Sequence, residues 1–341
     1  MHHARTLSRL LLAGLAALWL AAGPARAAEP TELERQSRAL ARASDAVVGV
    51  RATAVEDARS ISTLGRERQG SGVVIGNGLV LTIGYLILEA EQVLLVTDDQ
   101  RELPARVVGY DVATGFGLVQ ALAPLRIEPV PLGDAAAVAA DEPLMVASGG
   151  EDGAVSVARL VSRRAFSGYW EYHVEGALFT APARRDHSGA GLFNPRGELV
   201  GIGSLLVIDA AGPDAPRLPG NMFVAIDLLK PILAELRERG STARSQRAWI
   251  GLNCIEQEGV IRIVRVSDDS PGEVAGLEAG DVILRIDGQP VARLEQFYKS
   301  LWNGPSAERE VTLEIRRDGQ VRTLRVQSVD RAKTLRRAQG I

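Results

Sequence analysis

Few side chains in this sequence could do covalent or acid–base chemistry. There is one cysteine, Cys254, and there are four histidines; His2 and His3 stand at the extreme N-terminus, so only His173 and His187 lie further along. Ser188 sits within Asp186-His187-Ser188-Gly189-Ala190-Gly191. A serine hydroxyl attacks a carbonyl only when a histidine takes its proton and a carboxylate fixes that histidine's tautomer. His187 adjoins Ser188 on the chain, so its ring points elsewhere, and it reads as a hydrogen-bonded turn residue. His173 reads as a surface strand residue. Cys254 lies in an apolar, strand-like run, which suits a buried inert thiol. A lone cysteine makes no internal disulfide. No metal and no cofactor is expected.

The elements that must position these groups read as mainly β. Short runs rich in Val, Ile and Leu (Val47–Val50, Gly72–Ile75, Leu79–Thr82, Val93–Thr97, Ala105–Gly109) alternate with polar or glycine punctuation, the spacing of a sandwich or barrel. Asn77-Gly78 marks a hairpin. Ile226, Leu229, Ile232 and Leu236 have helical spacing, ending in a basic turn and Gly240. Residues 240–247 hold nothing to bury and read as a linker. Beyond them, strand-like runs at Ile261–Val266, Val282–Ile286, Val311–Ile315 and Val321–Val326, with a helix over Leu294–Trp302, read as a second unit. The tail from Arg331 is basic and expected to fray.

Length supports roughly two domains. Residues 1–27 read as an export signal: Arg5 and Arg9 precede the apolar run Leu10–Ala22, and Ala25-Arg26-Ala27 supplies the cleavage pattern, with Ala28 as the new N-terminus. The whole chain carries 39 Lys and Arg against 42 Asp and Glu. Cleavage removes three arginines and no acid, so the net charge falls from −3 to −6. No basic block is dense enough for nucleic acid.

Several motifs resemble those of the HtrA family, which joins a trypsin-like protease domain to a PDZ domain. Gly70-Ser71-Gly72-Val73-Val74-Ile75, Leu79-Val80-Leu81-Thr82, Ser188-Gly189, Gly197-Glu198-Leu199-Val200-Gly201-Ile202 and Phe223-Val224-Ala225-Ile226 resemble the protease part. Ser270-Pro271, Ala275-Gly276-Leu277, Ala279-Gly280-Asp281-Val282-Ile283, Asp287-Gly288 and Trp249-Ile250-Gly251-Leu252 resemble the PDZ part. The resemblance implies a trypsin-like double β-barrel over 46–239 after an N-terminal segment 28–45, the linker 240–247, a PDZ domain over 248–330 and the tail 331–341.

It also implies a site, and most of that site is missing. Ser188 holds the nucleophile position, but Tyr85 stands in place of the histidine and Gly115 in place of the aspartate. Asp111 falls where the family has a non-catalytic aspartate. A phenol, with an ordinary pKa near ~10, is a poor base at neutral pH. Asp186 replaces the glycine whose amide helps form the oxyanion hole, and a carboxylate there opposes the stabilisation of a developing oxyanion. Losing nucleophile or base costs on the order of 10⁶ in turnover in a comparable enzyme.

The PDZ resemblance implies that the amides of Trp249, Ile250, Gly251 and Leu252 hold a terminal carboxylate. An extended peptide is then expected to pair with the strand at Ile261–Val266. Leu294, Phe297 and Leu301 are expected to wall its groove. The leading expectation is a non-catalytic envelope protein that binds C-termini or unfolded segments as a chaperone, adaptor or protease regulator. A weakly active endopeptidase using Ser188 with an unconventional base, and a purely structural role, are the alternatives. Partners include a homo-oligomer or an active relative, although residues 28–50 hold no aromatic for the trimer contacts common in the family.

Overall fold

The computed structural model describes residues 31–336; the segment expected to be an export signal and the tail beyond Arg336 lie outside the described residues. The chain divides after Ser37. The helix α1 (Glu32–Asp45) crosses that point, and its exposed start carries an Arg35–Glu32 ion pair. From Arg38 onward, Ala43 is buried and Leu40 packs on the core.

Two closed barrels follow. In the first, β1 (Val47–Ala54), β2 (Glu67–Gly76), β3 (Leu79–Ile83), β4 (Ala90–Val96), β5 (Glu102–Tyr110) and β6 (Phe116–Ala121) are ordered β1-β2-β3-β6-β5-β4, and β1 closes on β4. In the second, β7 (Pro143–Ala147), β8 (Val155–Gly168), β9 (Tyr172–Ala181), β10 (Gly191–Phe193), β11 (Leu199–Val207) and β12 (Gly220–Ala225) are ordered β10-β11-β12-β9-β8-β7. Closure leaves neither barrel an open edge. One apolar core spans both, with Leu81, Leu95 and Phe116 from the first and Phe179, Leu192 and Phe223 from the second. The helical pattern at 226–236 becomes a 3₁₀ turn and then α2 (Leu233–Arg239), since Pro231 cannot continue a helix.

The second unit has its own core, including Ile263, Phe297, Leu301 and Leu313. Its elements are β13 (Ala248–Trp249), β14 (Leu252–Gln257), β15 (Val260–Val266), β16 (Val282–Ile286), β17 (Gln289–Pro290), the helix α3 (Leu294–Trp302), β18 (Glu310–Arg317), β19 (Gln320–Gln327) and β20 (Val329–Asp330). The main sheet runs β14-β15-β16-β18-β19. Asp318 and Gly319 both take positive φ and close the β18–β19 hairpin in two residues.

Three expectations are corrected here. The segment 240–247 is not a loose tether: Thr242 and Ser245 are buried, Thr242 donates to Asp111 Oδ1 at 2.8 Å, and Ser245 Oγ accepts from Val112 N at 2.7 Å. Its short hydroxyl side chains offer no apolar surface to bury, yet they satisfy buried polar groups of the first barrel. The described part of the tail is tied down as well, through Arg331 to the carbonyls of Trp170 and Glu171 and through Arg336 N to Glu89. His173 is buried, not superficial, with Ser167 at 2.9 Å and Glu175 at 3.1 Å on its two ring nitrogens.

Candidate functional site

Ser188 lies on the tight turn between β9 and β10, where its carbonyl accepts from Ser71 N of β2 at 2.8 Å. Tyr85 sits on the 3₁₀ turn Gly84–Leu86 that leaves β3. That turn is pinned from below by the buried Arg68, which donates to the carbonyls of Tyr85 and Leu88, while Gly84 N donates to Gly115 O at 2.7 Å. The Tyr85 hydroxyl thus reaches both Ser188 Oγ and the Ser204 carbonyl at 2.8 Å each.

One phenolic proton cannot serve two acceptors. The Ser204 carbonyl can only accept, so it takes the Tyr85 proton, and the Ser188 hydroxyl completes the chain by donating to the phenol oxygen. Burial pushes the Tyr85 phenol up to about 12, against a smaller opposing effect of the Ser188 contact. The phenol therefore stays neutral at physiological pH, and a neutral phenol oxygen does not take a serine proton.

Nothing on the Gly115 side restores a base. Gly115 has φ +82°, a conformation that glycine adopts freely. The Tyr172 hydroxyl donates to Thr114 O at 2.7 Å and lies 3.4 Å from where a Gly115 Cβ would stand. Asp111 is 1% exposed and spends its carboxylate on Thr114 and Thr242. His187 places Nδ1 3.1 Å from Arg184 O, and burial lowers its pKa. Asp186 is bound by Arg184 and Ser148. Burial alone would raise its pKa, but those hydrogen bonds outweigh it, so it remains a paired carboxylate.

In the second unit, Ile250 and Leu252 are buried while Trp249 pairs with Val329. Gly251 has φ +84°, and a Cβ there would stand 2.2 Å from Ser270 Cβ. The loop's amides are occupied. Ile250 N and Leu252 N donate to the Glu171 carboxylate at 3.2 and 2.7 Å, and Cys254 N donates to Tyr169 O at 2.8 Å. Both acceptors belong to the connection between β8 and β9.

The expected groove must be corrected in two respects. Ile261 is fully buried on β15, an inner strand paired with β14 along its length and with β16 at Ile261 and Arg262. The edge strand on that side of the sheet is β14. Phe297 and Leu301 are fully buried and Leu294 nearly so, all in the domain's own core. Tyr298 is the α3 residue that meets the β8–β9 connection, donating to Gly168 O at 2.9 Å and accepting from Glu171 N at 3.3 Å. Cys254 is buried, which raises its thiol pKa, and it does no chemistry here.

Residues 70–202 match the trypsin-like peptidase domain model and residues 248–327 the PDZ domain model. The chain is 28% identical over 284 residues to a probable periplasmic serine endoprotease DegP-like of Pseudomonas fulva, covering 77% of this chain and 57% of that protein. It is 24% identical to the periplasmic serine endoprotease DegP of Salmonella typhimurium, covering 76% and 56%. The chain thus spans little more than half the length of these relatives. The HtrA-type protease AlgW, solved with a tripeptide, superposes with a TM-score of 0.53 at 20% identity, covering 91% of this chain and 98% of that one.

The chain resembles the HtrA family in both domains and in their order.

Within that HtrA framework, sequence reasoning missed Glu171, Tyr298 and Tyr172. Tyr298 carried a signal, since it stands four residues after Leu294 on one helix face. Glu171 carried none: an acid in Gly168-Tyr169-Trp170-Glu171 reads as an ordinary exposed turn.

Proposed function

We propose that this HtrA-like chain is a cell-envelope pseudoprotease that binds protein C-termini or unfolded segments through its PDZ domain, as a chaperone, adaptor or protease regulator. One observation carries the proposal: the Ser188 hydroxyl is engaged at 2.8 Å by a partly buried, neutral phenol, Tyr85. Gly115 offers no carboxylate to orient a base, and Asp186 occupies the proposed oxyanion-hole position. The carboxylate-sized cradle of amides at Ile250 and Leu252 supports C-terminal recognition. The periplasmic naming of both DegP relatives, with the export signal read over 1–27, supports a periplasmic location. Association with itself or with an active relative belongs to the same proposal.

The retained Ser188-Gly189 turn and the relatives' names favour a second reading, a weak serine endopeptidase. A fluorophosphonate probe separates the two. The pseudoprotease reading expects no labelling and intact casein; labelling that disappears in Ser188→Ala overturns it.

A further inference from the structure

The amides of residues 250, 252 and 254 stand two apart along the edge strand β14 and the loop that leads into it, and all three are taken by one three-residue tip, Tyr169-Trp170-Glu171. The tip places a main-chain carbonyl on β14 and a carboxylate in the loop before it. A peptide C-terminus bound by β-augmentation presents the same two groups.

The tip is costly to build. Glu171 is 4% exposed and adopts φ +54°, which a non-glycine residue takes only under constraint from its surroundings. Glycine or asparagine would make the turn without strain, so turn geometry does not explain an acid here. Its side chain is instead matched to the cradle. The tip is clasped from the other side as well, by Tyr298 at Gly168 O and Glu171 N, and by Arg331 at the carbonyls of Trp170 and Glu171.

We infer that Glu171 is a stand-in, within the chain, for a C-terminal carboxylate, and that a partner's free C-terminus enters the PDZ groove by displacing the β8–β9 tip. The inference rests on the peptide-binding reading above and adds to it an intramolecular competitor. The ligand class follows from the cradle: a free carboxylate at the end of an extended segment able to pair with β14.

The test is a fluorescence-anisotropy titration of the intact protein and its Glu171→Ala variant. The probes are labelled ten-residue peptides, randomised at the last three positions, with free or amidated C-termini. Hydrogen exchange at the Leu252 and Cys254 amides is followed in parallel, with Glu171→Gln as the conservative variant. Glu171→Ala is expected to bind the free-carboxylate pool at least ~10-fold more tightly than the unaltered protein, to lose that gain with the amidated pool, and to exchange both amides faster. Glu171→Gln, which keeps one of the two oxygens that accept from Ile250 N and Leu252 N, is expected to fall between. Equal tight binding by both proteins overturns the competitor and leaves the peptide reading standing. Faster exchange without binding of either pool overturns the peptide reading, and the ligand inferred here with it. Unchanged exchange in Glu171→Ala overturns the role of Glu171 itself.

Discussion

The hydroxyls of Tyr85 and Ser188 meet at 2.8 Å across the two barrels, and the Tyr85 proton is committed to the carbonyl of Ser204. The two residues therefore contribute unequally to stability. Tyr85→Phe leaves a buried carbonyl without its donor, a loss of about 1–3 kcal/mol. Ser188→Ala removes one donor whose partner keeps another bond, and is expected to cost less than about 1 kcal/mol. Urea unfolding of the two variants checks the order.

Restoring the expected triad is harder than three substitutions suggest. Gly115→Asp forces an L side chain into φ +82°, a strain of roughly 1–2 kcal/mol. The new carboxylate must also pass the Tyr172 hydroxyl. Tyr85→His with Gly115→Asp and Asp186→Gly is therefore expected to remain unreactive towards fluorophosphonates. Adding Tyr172→Ala should give the first detectable labelling.

Glu171 gives the closed groove a pH dependence. Burial raises its pKa from an ordinary value near 4.5 to about 7, with Arg331 and then the amides of Leu252, Ile250 and Gly251 opposing. Cys254 and Tyr298 are the other titratable groups facing it, and both are held neutral by burial. A carboxyl raised in the closed form favours closure fully below 4.5 and loses that advantage as pH rises through 7. Exchange protection at Leu252 and Cys254, corrected for intrinsic rates, should decline over that window. Glu171→Gln should flatten the curve.

Asp281 works in the opposite direction. It is 1% exposed and bound by two nitrogens of Arg317 at 2.6 and 2.7 Å. Burial alone would raise its pKa, but Arg317 and the Glu278 amide outweigh it, so the pair's contribution is lost as pH falls through the lowered value. Arg317→Met leaves the buried carboxylate without its ion-pair partner and with the Glu278 amide as its remaining donor, at a cost of about 3 kcal/mol. Denaturant titration of the variant should show this loss, with recovery in Arg317→Met/Asp281→Leu.

The barrels and the PDZ unit were legible because turns, apolar periods and glycine positions are local properties. The groove was not. Ile261–Val266 is more apolar than Leu252–Gln257 and so drew the assignment, but which strand is an edge depends on pairing, which composition does not encode. Phe297 and Leu301 followed the same logic: apolar helix residues fill the core first, and the amphipathic Tyr298 is left to meet the neighbouring domain. Glu171 was beyond reach, since its partners lie about 80 residues away and belong to the backbone.

The stitching of 240–247 to Asp111 and Val112, with Arg331 clasping the tip, keeps the internal competitor beside the groove at all times. If the closed form outweighs the open one by ~100 to one, a single free C-terminus binds ~100-fold more weakly than it would to an open domain. A scaffold that displays several C-termini to several copies of the protein recovers that loss through avidity. The domain would then ignore scattered chain ends and respond to crowded ones, counting its targets as well as recognising them.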